Sequence, residues 1–171
     1  MADITHGTWI KDGKAVDAAY QNGVKIYGRN LIANSSSPIV IRRPDDNLGY
    51  PKWTSAIVYK GLKNNETYTF SALATVETTD KSAERWGIRI FRNSGNHIAT
   101  STNIDGNTGK RQSFTFTTPD DGISYDIYVY SGGVGVAYTP DDLKIVTTVS
   151  DYKLETGSVA TAWTPAPEDV M

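Results

Sequence analysis

Thr67-Tyr68-Thr69-Phe70-Ser71-Ala72-Leu73-Ala74-Thr75-Val76 alternates with a period of two. Tyr68, Phe70, Ala72, Ala74 and Val76 share one face, while Thr67, Thr69, Ser71 and Thr75 share the other, with Leu73 breaking the polar set. Successive side chains of a strand point to opposite faces, so the segment reads as a strand with one side on a core. The polar turn Lys63-Asn64-Asn65-Glu66 precedes it, and Ser55 to Tyr59 leads into that turn as a strand.

The same reading extends outward. Arg85 to Arg92, Ser113 to Thr117, Tyr125 to Tyr130 and Leu143 to Thr148 are further strands, separated by loops at 42–52, 77–84, 93–112 and 131–141. No segment of ten or more residues carries a 3.6-residue apolar period. Many strands, turn clusters and no helices predict an all-β sandwich or barrel. A jelly-roll β-sandwich accommodates about eight strands in about 135 residues.

Residues 1–28 read as a separate short β-meander or connector. Trp9-Ile10-Lys11 runs into Asp12-Gly13, Val16 to Tyr20 runs towards Asn22-Gly23, and Val24-Lys25-Ile26-Tyr27 follows. Asp-Gly and Asn-Gly favour the positive φ of type I′ hairpin turns. Three such short strands bury too little to stand alone, so they dock on the main domain or belong to a neighbour.

The totals exclude several function classes. The chain has 171 residues, 39% hydrophobic and 21% charged, which is globular composition. A net charge of -2 lacks the basic footprint of a nucleic-acid binder. No apolar run approaches the roughly 18 residues of a membrane span. The start, Met-Ala-Asp-Ile-Thr-His-Gly, lacks the basic and apolar regions of a signal peptide. A protein acting outside a cell would then arrive as part of a larger chain or particle. Without cysteine there are no disulfides and no thiolate metal sites.

Pro-Asp-Asp occurs at 44–46, 119–121 and 140–142 without similar flanks. Pro pre-sets φ and Asp bonds nearby backbone, so turns account for the motif and no cofactor is expected. A structural calcium is the alternative, since hard cations take oxygen ligands, but no twelve-residue calcium loop is present.

Alternation also sorts candidate binding residues. In Tyr125-Asp126-Ile127-Tyr128-Val129-Tyr130 the aliphatics face inward with Tyr125, so Asp126, Tyr128 and Tyr130 face outward. In Trp86-Gly87-Ile88-Arg89-Ile90-Phe91, Ile88 and Ile90 face inward, and Arg89 faces outward with Arg85 and Phe91. Flat aromatics, a rigid guanidinium fork and a carboxylate acceptor match a sugar's apolar C–H faces and hydroxyl rim. Plain cross-strand pairing is the competing account. Trp53, with Tyr50 in the turn-rich loop before it, is a second stacking candidate or else a core cap. Trp86 shares parity with Ile88 and belongs to the core; Trp163 is structural; Trp9 docks the meander. The run 131–136 is a loop that borders a groove, since it lacks the Gly-Lys-Thr of a phosphate loop.

Catalysis is not expected. His6 and His97 belong to no nucleophile–base arrangement that sequence displays. Glycoside hydrolysis needs two carboxylates about 5–9.5 Å apart across a groove, whereas adjacent turn aspartates diverge.

The chain ends carry a resemblance. Lys153-Leu154-Glu155 closes a strand, Thr156-Gly157 turns, and Ala162-Trp163-Thr164-Pro165-Ala166-Pro167-Glu168-Asp169 supplies a Trp anchor and a Pro-rich exit, 165–171. Each proline lacks a ladder donor and pushes its predecessor towards extended geometry. This run resembles the "KLE-G-AT-WTPAPED" ending of modules in tail and baseplate proteins of phages infecting Gram-positive, including lactic acid, bacteria. Gly28-Arg29-Asn30-Leu31-Ile32-Ala33-Asn34-Ser35 resembles their "GRNLL-NS" opening. The resemblance implies a carbohydrate-binding jelly roll over 29–164, on a tail-tip or distal tail-type protein of the virion. It implies host cell-wall polysaccharide or another surface glycan as partner, alongside other baseplate and tail proteins, and neither nucleic acid nor membrane. It transfers no ligand residue. Two alternatives stay open: a structural sandwich binding only protein neighbours, and a sugar-binding module of a secreted bacterial glycosidase.

Overall fold

The computed structural model describes residues 3–5, 7–43, 55–92, 98–132 and 144–170. The N-terminal segment forms β1 (Asp3–Thr5), β2 (Thr8–Lys11), β3 (Lys14–Ala15), β4 (Ala18–Gln21) and β5 (Val24–Gly28). The main body comprises β6 (Ile39–Arg43), β7 (Ser55–Leu62), β8 (Thr67–Thr78), β9 (Arg85–Arg92), β10 (Ile98–Asp105), β11 (Gln112–Thr117), β12 (Tyr125–Ser131) and β13 (Ile145–Thr156). Its two four-stranded antiparallel sheets run β10-β9-β12-β7 and β11-β8-β13-β6, the interleaved order of an eight-stranded jelly roll. Among the described residues the only helical turns are short 3₁₀ turns at Lys81–Ala83 and Pro167–Asp169.

The core follows the alternation. Tyr68, Phe70, Ala72, Ala74 and Val76 of β8 are buried, as are Trp86, Ile88 and Ile90 of β9 and Tyr125, Ile127 and Val129 of β12. Phe70 meets Trp86 edge-on between the sheets at 6.4 Å, a favoured aromatic geometry. Trp86 Nε1–H donates to Gln112 Oε1 at 3.0 Å, so its one polar atom is satisfied.

Three elements differ from the sequence reading. β10 lies inside the expected loop 93–112, and its Ser/Thr-rich edge strand has too little apolar contrast to mark it. β6, outside the strands read from sequence, forms the edge beside β13. The N-terminal meander is two small sheets, β1-β2-β3 and β4-β5, rather than one. Its hairpin turns are as read, with Asp12-Gly13 and Asn22-Gly23 all at positive φ.

The segment expected to leave as a linker lies against the body instead. Ala166 is fully buried, and Pro165 O accepts from Thr8 Oγ1 at 3.1 Å. Asp169 accepts from the Asn34 amide at 3.0 Å, and Glu168 pairs with Arg29. Proline restricts the path of this segment but leaves apolar surface to bury, and the N-terminal strands supply a partner for it.

Candidate functional site

The two outer sheet faces have different fates. On β13 a bulge between Ser150 and Lys153 places Asp151 at φ 47°. That extra residue flips the alternation: Ile145, Thr147 and Val149 face inward before it, Tyr152 and Leu154 after it. Lys153 and Glu155 thereby point to the outer face, yet both have zero exposure. The N- and C-terminal segments cover them. Lys153 Nζ donates to Thr161 Oγ1 and Ala162 O, each at 2.8 Å, and lies 5.4 Å from the Tyr27 ring centre. Glu155 accepts from Thr161 N–H at 2.8 Å and pairs with Lys25 Nζ at 2.8 Å. Burial outweighs the Glu155 charge and lowers the Lys153 amine to about 8.

Asn30 ties the two chain ends together. Its Nδ2 donates to Ser35 Oγ at 2.8 Å, Thr164 O at 3.0 Å and Tyr152 O at 3.3 Å. Its Oδ1 accepts from Ile32 N–H at 3.1 Å and Leu154 N–H at 3.2 Å. Trp163 Nε1–H reaches the same Ser35 hydroxyl at 3.2 Å, the structural role expected of it. A Cβ on Gly28 would fall 1.9 Å from Glu155 Oε2, so any larger residue there must displace the buried Glu155 carboxylate. The residues that carry the resemblance therefore form a clasp, which covers Thr69, Lys153 and Glu155, while Val40, Thr75 and Glu77 on the same face stay exposed.

The outer face of β10-β9-β12-β7 carries the candidate site. Tyr128 stands opposite Arg89 on β9 and Ile57 on β7, and Tyr130 stands opposite Gly87 and Ser55. Tyr128 and Tyr130 ring centres are 6.5 Å apart, and Phe91 meets Tyr128 edge-on at 6.0 Å. Gly87 puts no side chain opposite Tyr130, and the diagonal neighbour Arg89 lies over that ring at 5.1 Å. Arg89 Nε is buried without a hydrogen-bond partner among the described residues. Burial, then the Asp126 carboxylate and Tyr130, push the Tyr128 phenol up. Tyr128, Tyr130, Arg89 and Phe91 are all half-buried.

Asp126 requires a correction. It shares the parity of Tyr128 but is only 2% exposed. The β7 strand bulges beside it, Gly61 adopts φ +76°, and the Gly61 N–H donates to Asp126 Oδ1 at 3.0 Å. Its acceptor holds backbone rather than facing a ligand. Trp53 and Tyr50 lie outside the described residues. Sequence reasoning misses Ile57, 43% exposed beside Tyr128, and Tyr59, because the apolar run Ala56-Ile57-Val58-Tyr59 has no alternation to mark a face. Among the described residues, one hollow lies near Ile57, Tyr59 and Leu31, and another near Tyr59, Tyr68 and Arg29.

Of the Pro-Asp-Asp motifs, only 119–121 is described. Asp121 Oδ1 accepts from Ile123 N–H at 3.0 Å and Oδ2 accepts from Tyr125 O–H at 2.6 Å, so it works as turn chemistry. Among the described residues no cluster of three or more His, Asp or Glu suits a metal ion. No described helix is long and apolar enough to cross a membrane.

The molecule is a two-sheet jelly roll with one outer face partly covered by the chain ends and the other polar and aromatic. No family model and no curated protein matches the chain. Among solved structures, the chain is similar to the tripod from the baseplate of bacteriophage Tuc2009, with TM-score 0.54 and 16% identity over 84% of this chain and 60% of that one. The chain thus spans less than two-thirds of the tripod chain, and the likeness is one of fold. A structure titled "CBM4 structure and function" matches at TM-score 0.47 and 16% identity, over 74% of this chain and 99% of that one. The xylan-degrading enzyme Xyn10B of Clostridium thermocellum, with its CBM22-1 and GH10 modules, matches at TM-score 0.38 and 12% identity, over 78% and 29% of the respective chains.

Proposed function

We propose that residues 29–164 form a non-catalytic module that binds a host cell-surface saccharide for a phage tail or baseplate, with residues 1–28 as its connector. The observation that carries this reading is the open face of β9 and β12. There Tyr128 and Tyr130 offer adjacent rings, and Arg89 sits fixed over one of them. Rings stack on sugar C–H surfaces, and a guanidinium donates to hydroxyls in fixed directions. The fold shared with a phage baseplate tripod supports the setting, and the virion tail tip is the matching location. One shallow sugar site is weak, and copies repeated around a tail raise avidity by about 10²–10⁴.

The test is staining of host cells with fluorescently labelled protein. Loss of staining in Tyr128→Ala, Tyr130→Ala and Arg89→Ala supports the reading, and undiminished staining in all three rejects it.

A second reading has its own observation. Tyr20, Val24 and Ile26 on the β4–β5 hairpin are 66%, 62% and 43% exposed, apolar surface suited to a protein neighbour. Silence on a glycan array, together with copurification of a baseplate protein, favours a purely structural module.

A further inference from the structure

We propose that a second saccharide site lies at one end of the sandwich, in the hollow beside Tyr59 and Tyr68, and takes the terminal sugar of a neutral glycan chain. This inference rests on the saccharide-binding reading and extends it. The hollow has a volume of about 370 Å³ and is walled by β7, the β7–β8 turn, the start of β8 and the segment around Arg29. That is the small end of the roughly 300–1,000 Å³ usual for ligand pockets. A walled space of this size admits a chain end, whereas an internal stretch needs an open surface such as the tyrosine face.

Its chemistry suits a polyol. Tyr59 brings a half-buried ring and Leu31 an apolar side chain. Arg29 and Lys63 are donors, and Asp17 and Glu66 are acceptors. The two signs balance, and Arg29 already pairs with Asp17 at 3.5 Å and with Glu168. A phosphate or carboxylate finds no net positive field there, while sugar hydroxyls use donors and acceptors alike. Arg29 Nε is buried without a hydrogen-bond partner among the described residues, and the Tyr68 hydroxyl accepts from Lys63 N–H at 3.1 Å.

The hollow also adjoins the proposed face. Gly61 lines it, and Gly61 N–H is held by Asp126, two residues from Tyr128. A glycan lying across Tyr130 and Tyr128 therefore runs towards it.

The test is NMR titration of the intact chain with methyl glycosides of glucose, galactose, mannose and N-acetylglucosamine, following backbone amide shifts. At least one of these sugars is expected to move the amides of Leu31, Gly61 and Glu66. Tyr59→Ala is expected to weaken that response at least tenfold, while Tyr59→Phe stays within about threefold; both variants are checked for unchanged spectra elsewhere. The double variant Tyr128→Ala/Tyr130→Ala is expected to leave the response in place. Shifts confined to β9 and β12 overturn this site and leave the sheet-face reading standing. Shifts confined to the hollow support it and count against the sheet face. Absence of any shift with all four sugars overturns the site. A response that survives Tyr59→Ala also overturns it.

Discussion

Replacing Asn30 with alanine removes the knot of the clasp. Asn30 is fully buried, and its Oδ1 is the acceptor for the amides of Ile32 and Leu154. Truncation orphans both amides in a dry site, at about 1–3 kcal/mol each. Two orphans give about 4 kcal/mol, a large part of the roughly 5–15 kcal/mol that holds a domain folded. Asn30→Asp keeps the acceptor but turns the amide donor towards the carbonyls of Tyr152 and Thr164 into a second acceptor, so its loss is expected to be larger. The assay is urea unfolding followed by tryptophan fluorescence. With a slope near 2.5 kcal/mol/M, Asn30→Ala is expected to lower the midpoint by roughly 1.5 M. The exposed Ser36→Ala serves as control and is expected to change stability by less than about 0.5 kcal/mol. A loss below about 1 kcal/mol in Asn30→Ala refutes the idea that these buried amides depend on Asn30.

Gly28→Ala drives a methyl group against Glu155 and towards Lys25 Nζ, at 1.9 and 2.8 Å. Breaking that buried pair is expected to cost about 3 kcal/mol or more, measured by the same unfolding midpoint. The Lys153 amine sits at about 8 in the folded chain against 10.5 when free. Between those values the unfolded state binds the extra proton, so stability rises with pH there. From pH 7.5 to 9.5 the gain is about 2 kcal/mol, before tyrosine ionisation above about pH 10 reverses it. The raised phenols of Tyr27, Tyr68 and Tyr152 work in that opposite sense, since the unfolded state loses their protons first. Lys153→Met is expected to flatten the rise, and a flat wild-type curve contradicts the desolvated amine.

The inner layer of the sandwich was legible because period-two alternation reports a buried face directly. Tyr68, Phe70, Ile88, Ile127 and Val129 stand where that pattern put them. The outer faces were legible only in direction. Thr69, Ser71, Lys153 and Glu155 face away from the core and are still buried, because chain segments remote in sequence lie over them. No local pattern carries that information. Lys153 and Glu155 reach the outer face only through a bulge at Asp151, and one extra residue reverses parity without altering composition. Asp126 departs from its parity for a related reason: the β7 bulge at Gly61 brings a backbone N–H onto its carboxylate. The pairing of Arg89 with Tyr130 needed the register, which sequence alone does not supply. The Tyr59 hollow draws on three separate chain regions, so no single segment marked it.

The most direct test of the saccharide face is calorimetric titration of the intact chain with solubilised host cell-wall polysaccharide fragments, compared with Tyr128→Ala/Tyr130→Ala. Truncating a buried aromatic anchor typically costs about 1–2 kcal/mol, so a binding face built on these rings predicts at least a five- to thirty-fold weaker affinity in a variant that still folds. Equal affinity in the two proteins would contradict it.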